Sequence, residues 1–481
     1  MKKFFRMITN KWLLKGTTTL IVVAIVIACY IGLNWGVEQL KIEDLDFTTK
    51  NLYSLSDSTK ERLKELDEDI TIQLINMADY EYLLEYASKY ENASDRVTVE
   101  QIDDLTSRVD LQTKYNIDTT GQLIVVKNGD RETTLTTSDL YTYDYTTYES
   151  IDTTEEAITN AIMEVTIDEK PHIYVFNGNT YNDAEKSLGI IANALIDEAN
   201  EVELLDILTK GSVPEDCSCL IITTLKQDLS DLERDKILEY INKGGKLLIL
   251  TSQNTLDVDT PNFDKILAQY GVSINSGVIL EQDSSKTLYD TPNMILAEAS
   301  ASFMDQIDMT LRLFLVNAGK IQFEDSTKLE ELGVTYETIA STSEKSFVRT
   351  DLSKSSKTRV DGDSEEGSCV VGAHITKTIS DDVTSQLIIY SNETFASTSQ
   401  LILGYQSIYA AYMYNNEDIV LNSVSHLTER TDTITIRKTD ESENYTVTDQ
   451  EDVIIKTIIF NVPVIIIVIG IGVWIYRRRK V

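Results

Sequence analysis

Cysteine is scarce in this 481-residue chain, which has four. One of them, Cys29, lies in an apolar stretch near the N-terminus, and the others are Cys217, Cys219 and Cys369. Three is an odd number, and Cys217 and Cys219 are too close together for an easy mutual bridge. The sequence therefore predicts no disulfide framework. The absence of a C-x-x-C pair also argues against thiol redox chemistry.

Histidine is scarcer still, and the motifs of nucleotide and hydrolase sites are absent. His172, His374 and His426 lack the close spacing of metal ligands, so we expect ordinary surface or packed residues. Neither G-x-x-x-x-G-K-[ST] nor G-x-S-x-G occurs. Cys217 and Cys219 precede a predicted strand, whereas an amidotransferase nucleophile would follow one. We predict a protein that is not an enzyme and that binds no cofactor or metal; a membrane-anchored hydrolase is the least favoured hypothesis.

Acidic residues are missing from both ends of the chain: none lies before residue 36 or after residue 456. Nine of the 43 Lys and Arg residues lie in these ends. Residues 36–456 thus hold the other 34 together with all 78 Asp and Glu residues, a formal net charge of −44. Such an acidic region repels phosphate groups, and we therefore predict that the protein does not bind nucleic acid.

Two long apolar stretches lie at residues 16–37 and 457–476. A bilayer core of roughly 30 Å needs about 20 apolar residues as a helix, and both stretches meet that length. Trp35 and Trp474 lie near their ends, where indole rings favour the membrane interface. Basic residues flank each stretch on the side of the chain terminus: Lys2, Lys3, Arg6, Lys11, Lys15, Arg477, Arg478, Arg479 and Lys480.

Basic flanks are retained in the cytoplasm. The sequence therefore predicts a two-pass protein of the cell membrane with cytoplasmic ends at 1–15 and 477–481 and an extracytoplasmic region at 38–456. A second interpretation of the first stretch stays open. "VIAC" at Val26–Cys29 is typical of a lipobox, which would lead to cleavage and lipid attachment at Cys29. In either case the middle of the chain faces outward.

Residues 38–168 predict an α/β domain with the element order β-α-β-α-β-β-α, which is that of a thioredoxin-like fold without its C-x-x-C. Ser58 and Glu61 have the spacing of a capping box and predict a short first helix. In "YTYDYTTYES" the side chains of Tyr141, Tyr143 and Tyr145 share one face if the segment is extended. These rings could form a ligand platform that stacks on sugars, or a packing or partner surface.

Residues 169–280 predict a doubly wound, flavodoxin-like or amidotransferase-like α/β domain with a buried parallel sheet. Ser230 and Glu233 form a second capping box, and Gly244 suits a left-handed helix cap. Residues 281–456 predict a β-rich extension with a mobile loop at 350–368. At its end we expect helices over 398–414 and 416–430 and a strand over 432–439.

The segment "DFTTKNLYSLSDSTKERLKELDEDITIQL", the element order that follows it, and the segment "NNEDIVLNSVSHLTERTDTITIRK" before the last apolar stretch are similar to gliding-motility-type ABC-transporter auxiliary proteins, the GldG-like family. The resemblance implies a non-catalytic subunit beside an ABC-2 type permease and a separate ATPase. It also implies a likeness of the middle domain to a domain of intraflagellar transport proteins and to sugar-binding folds. The alternative is a stand-alone, membrane-anchored surface protein that binds glycan.

Overall fold

The computed structural model describes residues 54–144, 149–180, 183–304, 311–403 and 406–430. Both predicted membrane spans, with their basic flanks, Trp35, Trp474 and Cys29, lie outside these residues, as do Tyr145 and the predicted strand at 432–439. Within the described ranges, no helix has the length and apolar character needed to cross a bilayer.

The N-terminal domain, residues 54–168, is built on a four-stranded sheet in the order β2-β1-β3-β4. Strands β1 and β2 are parallel, and β3 runs antiparallel to β1 and to β4. A separate hairpin of β5 and β6 precedes the last helix. The elements are α1 Asp57–Lys64, β1 Ile70–Ile75, α2 Glu81–Ala93, β2 Val97–Ile102, α3 Val109–Tyr115, β3 Leu123–Asn128, β4 Arg131–Leu135, β5 Tyr141–Asp144, β6 Glu149–Asp152 and α4 Thr154–Thr166.

The core of this domain lies where α1, α2 and α4 cover one face of the sheet, and Ile72, Leu83 and Ile158 are fully buried there. A buried carboxylate fastens the first helix to the last. Glu155 on α4 accepts hydrogen bonds from the Ser56 N–H at 2.7 Å and from the Thr59 hydroxyl at 2.7 Å. The predicted β-α-β-α-β-β-α order is thus observed, with the β5–β6 hairpin as an insertion, while the thioredoxin-like assignment stays a prediction.

The first helix is capped two residues earlier than predicted. Ser56, not Ser58, is its N-cap, and the Ser56 hydroxyl accepts a hydrogen bond from the Thr59 N–H. The prediction was wrong because "SLSDS" offers several serines close together. Ser56 has the extended backbone that an N-cap needs, whereas Ser58 lies inside the helix.

The central domain, residues 170–430, is built on an eleven-stranded mixed sheet. Its elements are β7 His172–Phe176, α5 Ala184–Ser187, α6 Gly189–Asp197, β8 Glu201–Leu205, α7 Ile207–Lys210, β9 Cys217–Thr223, α8 Asp231–Asn242, β10 Lys246–Leu250, α9 Pro261–Ala268, β11 Val272–Ile274, β12 Val278–Leu280, β13 Met294–Ala299, β14 Leu311–Val316, β15 Ile321–Phe323, α10 Ser326–Leu332, β16 Val334–Ser341, β17 Phe347–Arg349, β18 Val370–Ser380, β19 Val383–Tyr390, β20 Gln400–Leu403, β21 Gln406–Tyr409 and α11 Asn416–Leu427.

The main path of this sheet runs β14-β13-β16-β18-β19-β10-β9-β7-β8. The five strands at its β8 end, from β19 onward, are all parallel. Counted along the chain they lie in the order 2-1-3-4-5, which is a doubly wound arrangement. The capping box of Ser230 and Glu233 is confirmed at the start of α8, and Gly244 follows that helix with a φ of +91°.

Both faces of the parallel strands are buried, and alternate residues of β7 show it. Ile173 and Val175 pack with α6 and α11 on one face. Tyr174 and Phe176 pack with α8 and α9 on the other. Burial on both faces explains why these strands are continuous apolar runs in the sequence.

The sheet extends across the domain boundary predicted at residue 280. Strand β19 comes more than 130 residues after β10 in the chain, yet it pairs with β10 in parallel from Lys246↔Gln386 to Leu250↔Tyr390. Strand β18 then continues the sheet in antiparallel. The predicted regions 169–280 and 281–456 therefore share one sheet, because "QLIIY" in β19 is apolar on both faces and needs a central position.

The helix predicted over 398–414 is wrong. The chain there forms the hairpin β20–β21 and a short 3-10 helix, Ala410–Tyr412. The two apolar runs flank Gly404 in the sequence, a strand-turn-strand pattern that the helical interpretation overlooked. The helix predicted over 416–430 is confirmed as α11.

The polar segment 350–368 contains no helix or strand, as predicted. Arg349 organises it: its guanidinium donates to Asp363 Oδ1 at 3.0 Å and Oδ2 at 2.6 Å, and also to the carbonyl oxygens of Lys354, Ser356 and Thr358. The side chains of Arg349 and Asp363 are only 4% and 1% exposed. One buried ion pair therefore fastens the middle of this segment to β17; its predicted mobility stays a prediction.

Candidate functional site

The carboxyl ends of the parallel strands carry a buried polar network. Glu393, which follows β19 and is 3% exposed, accepts a hydrogen bond from the Ser187 hydroxyl at 3.0 Å and another from the Thr224 N–H at 3.0 Å. Its own N–H donates to the hydroxyl of Ser252, which follows β10. Glu393 thus connects the segments that follow β7 and β9 through its carboxylate, and the segment that follows β10 through its backbone N–H.

Ligands of doubly wound sheets bind outside the carboxyl ends of the strands, and this network occupies that position. Its side chains are hydroxyls and one carboxylate. The Thr223 hydroxyl is buried there and has no hydrogen-bond partner among the described residues. The three described cysteines lie elsewhere: Cys217 and Cys219 are at the amino end of β9, and Cys369 directly precedes β18.

The environment of the cysteines keeps them protonated. Burial raises the pKa of Cys217 to about 12 and that of Cys219 well above its ordinary value. Burial likewise raises the pKa of Cys369. Because the thiolate is the nucleophilic form, none of these thiols suits nucleophilic catalysis at neutral pH.

Two histidines that are far apart in the sequence meet in the fold. The rings of His374 on β18 and His426 on α11 have centroids 4.7 Å apart, and Phe303 stacks on His426 at 4.5 Å. His374 Nε2 donates to Gln386 Oε1 at 3.0 Å. Burial is the largest cause that lowers the pKa of His426, and the charge of the neighbouring His374 is the second; together they lower it to about 4. Both rings are therefore neutral at pH 7, and the sequence offered no signal for this pair.

The third histidine stands apart from that pair. His172 begins β7, and its Nδ1 lies 3.5 Å from Glu201 Oε2 and 3.9 Å from Asp216 Oδ2. No group of residues in the described ranges has an arrangement able to hold a metal ion.

The predicted tyrosine row lies on the β5–β6 hairpin. Tyr141 and Tyr143 occupy β5, where their side chains are 42% and 46% exposed. Tyr82, on α2, adds a third exposed ring, and its hydroxyl oxygen is 2.6 Å from that of Tyr141. The structure therefore places two of the predicted residues together and adds Tyr82, which sequence reasoning missed.

An interdomain cleft of about 510 Å³ opens beside this hairpin. Tyr141 and helix α4 of the N-terminal domain line one wall, and α6 and α11 of the central domain line the other. Ligand sites commonly occupy such domain interfaces and have volumes of about 300–1,000 Å³. The pKa of Asp197, which lines this cleft, is raised. Desolvation is the largest cause, and the neighbouring carboxylates of Asp139, Glu417 and Glu164 follow in that order.

Comparison with known proteins concerns mainly the central domain. The family described as an ABC-type uncharacterized transport system matches residues 170–423, which is more than half of the chain and covers the large sheet. No curated protein matches.

Two solved structures match part of this chain at low TM-scores. The mmIFT52 N-terminal domain is 10% identical over 53% of this chain and 97% of that one, with a TM-score of 0.37. A putative ThuA-like protein from Bacteroides uniformis is 11% identical over 55% of this chain and 92% of that one, with a TM-score of 0.30. At these TM-scores neither likeness supports a functional conclusion.

Proposed function

This chain belongs to the family of ABC-type uncharacterized transport systems, and on that premise we propose that it is a non-catalytic auxiliary subunit of an ABC-2 type membrane transporter. The observation that carries the proposal is the family match over residues 170–423, which includes the parallel strands and most of α11. The energy source is a separate ATPase, because the sequence contains no phosphate-binding loop.

The chemistry of the central domain supports a binding role over a catalytic one. The described thiols are held protonated, and the paired histidines are neutral and packed against Phe303. The N-terminal domain, which we interpret as thioredoxin-like, has no C-x-x-C. It serves as a spacer or a binding module in front of the central domain.

The membrane arrangement is part of the proposal. Residues 16–37 and 457–476 are the two spans, and the large region between them is extracytoplasmic. Two single spans enclose no pore, so the conducting path belongs to a permease encoded by another chain. Anchoring at both ends holds the outer domains near that permease and raises their effective concentration beside it.

Affinity purification of the full chain at native expression level tests the partnership. We expect an ABC-2 permease and its ATPase to co-purify, and we expect deletion of either partner gene to reproduce the phenotype of deleting this one. Purification of the chain alone, with a phenotype unaffected by loss of the transporter genes, would refute the proposal. Cysteine accessibility at the two termini and at the 350–368 segment tests the topology, and an externally accessible C-terminus would contradict it.

A stand-alone glycan-binding protein is the second candidate. The exposed Tyr82, Tyr141 and Tyr143 favour it, because aromatic side chains on a surface offer flat platforms for sugar rings. The two candidates differ in their dependence on the transporter: a solitary glycan binder keeps its phenotype when the permease gene is deleted.

A further inference from the structure

The interdomain cleft has a lining of polar groups with one sign of charge. Amides are provided by Asn160 on α4 and Asn193 on α6, and carboxylates by Asp139, Asp197 and Glu417. Among the described residues that line the cleft, none is Lys or Arg. A ligand with phosphate or carboxylate groups is therefore repelled, and a ligand that brings positive charge is attracted.

The carboxylates lie close enough together to influence one another. Asp197, at the end of α6, has an exposed side chain, and it senses the charges of Asp139 from the N-terminal domain and Glu417 from α11. A bound ammonium group would relieve this repulsion, because it places a positive charge between carboxylates that repel one another.

An aromatic track leads out of the cleft. Tyr141 lines the cleft, and Tyr143 lies two residues farther along the same strand, roughly 6.6–6.8 Å away and on the same face. The hydroxyl contact between Tyr82 and Tyr141 fixes the orientation of the Tyr141 ring. Rings in a row suit a ligand made of repeated ring units that each present an apolar C–H face, and an aromatic face also attracts ammonium groups.

We propose that the interdomain cleft binds an oligosaccharide of amino sugars, with one sugar ring stacked on Tyr141, its ammonium groups directed to Asp197 and Glu417, and its hydroxyls bonded to the amides of Asn160 and Asn193. The repeat of rings favours a sugar polymer over a flexible polyamine. This inference rests on the proposed function only for the biological use of the ligand, since binding itself needs no permease.

The test is calorimetry of the purified full chain in detergent with a tetramer of β-1,4-linked glucosamine. We expect the N-acetylated tetramer and spermidine to bind at least ten-fold more weakly, and a tetramer of galacturonic acid not to bind. Absence of binding by the glucosamine tetramer would overturn the proposal. Equal binding of spermidine would also overturn it, because the cleft would then recognise charge without recognising sugar rings.

Variants locate the site. Tyr141→Ala is expected to weaken binding of the glucosamine tetramer at least ten-fold. Tyr141→Phe is expected to weaken it less, because the ring is kept and only the hydroxyl contact with Tyr82 is lost. Asp197→Asn is expected to weaken binding of the glucosamine tetramer but to leave binding of the N-acetylated tetramer unchanged. Tyr289→Ala is the matched control, since Tyr289 is an exposed tyrosine that does not line the cleft.

If Tyr141→Ala melts at a lower temperature than the wild type, its weaker binding could reflect a folding defect. The affinities of Tyr141→Phe and Asp197→Asn for the glucosamine tetramer then test the site. Unchanged affinity in Asp197→Asn would refute the assignment. Co-purification of a permease is a separate readout, so failure of this inference is distinguishable from failure of the proposed function.

Discussion

Arg349 is a buried charged residue of the central domain whose substitution should destabilise the fold. It is nearly inaccessible to solvent, and its guanidinium satisfies both oxygens of Asp363 together with backbone carbonyls of the 350–368 segment. Removing one member of such a pair leaves the other buried and uncompensated, which costs about 3–5 kcal/mol. We therefore expect Arg349→Ala to lower the free energy of unfolding by about this amount in urea denaturation.

Arg359 is the matched control for that substitution, because it also bonds a carboxylate of the same segment. Its partner Glu365 is 88% exposed. Exposed ion pairs contribute about 0–1 kcal/mol, so Arg359→Ala should change stability by no more than that. Equal effects of the two substitutions would show that the burial of Arg349 does not govern its contribution.

The histidine pair predicts a pH dependence. The pKa of His426 is lowered from 6.5 to about 4 by burial and by His374, and Phe303 closes the third side. Other charged groups that influence it are Glu337, Lys246 and Glu429. Between pH 6.5 and 4, His426 binds a proton in the unfolded chain but not in the folded chain. The contribution of His426 to the free energy of unfolding is therefore fully present above pH 6.5 and decreases as the pH falls toward 4.

Thermal melting from pH 7 to pH 4 measures this effect. The decrease in melting temperature between pH 6.5 and 4 should be smaller in His426→Phe than in the wild type, because the variant has no ring to protonate at that position. His172→Phe is the control, since His172 is not part of the pair. An unchanged decrease in His426→Phe would contradict the prediction.

At the residue level the sequence predicted what depends on near neighbours. The box of Ser230 and Glu233 and the left-handed Gly244 are local signals, and both are confirmed. The meeting of His374 with His426 could not be predicted, because it requires knowing that β18 lies beside α11. The same holds for Glu393, whose partners Ser187 and Thr224 come from distant segments.

The start of α1 allows a comparison between two serines on one helix. Ser56 accepts the hydrogen bond of the Thr59 N–H, while Ser58, the predicted cap, lies inside the helix. Loss of an N-cap costs about 0.5–2 kcal/mol. We expect Ser56→Ala to destabilise the protein by that amount and Ser58→Ala by less than about 0.5 kcal/mol, both measured by urea denaturation. If Ser58→Ala destabilised the protein more than Ser56→Ala, Ser58 would be the N-cap, as predicted from the sequence.

Elements with a clear local pattern were predicted well, whereas the segment 398–414 was not. Strand β2 alternates, strands β7 and β10 are short continuous apolar runs, and helix α4 has a single apolar face. These local patterns gave the element order that the structure shows. The segment 398–414 has two short apolar runs around Gly404, and runs of this length are compatible with either a helix or a hairpin. Ile402 is 80% exposed there, so burial did not select its conformation.

For the whole molecule, the continuous sheet is the feature that sequence reasoning could not supply. The five parallel strands include β19, which is separated from β10 in the sequence by a long β-rich segment. A local pattern ended the predicted parallel sheet near residue 280, since β12 and β13 lack the helical connections of β-α-β units. The pairing of β10 with β19 is a long-range contact, and no local period encodes it.

This sheet predicts how fragments behave. Residues 169–280 alone would expose the β10 edge, including Leu248 and Ile249, which are fully buried beneath β19 and the helices. They would also lose α11, which contributes Ile419 and Val424 to the core on that face. Unpaired apolar edges favour aggregation over folding. We therefore expect fragment 169–280 to be poorly soluble and to lack a cooperative thermal transition in circular dichroism.

Fragment 54–168 is the matched comparison, because it contains a complete four-stranded sheet and its own apolar core. It should give a cooperative transition in the same measurement, and fragment 169–430, with the complete large sheet, should do so as well. A soluble fragment 169–280 that unfolds cooperatively would show that its strands form an independent domain. In that case the contribution of β19 and α11 would be dispensable, and the predicted boundary at residue 280 would hold after all.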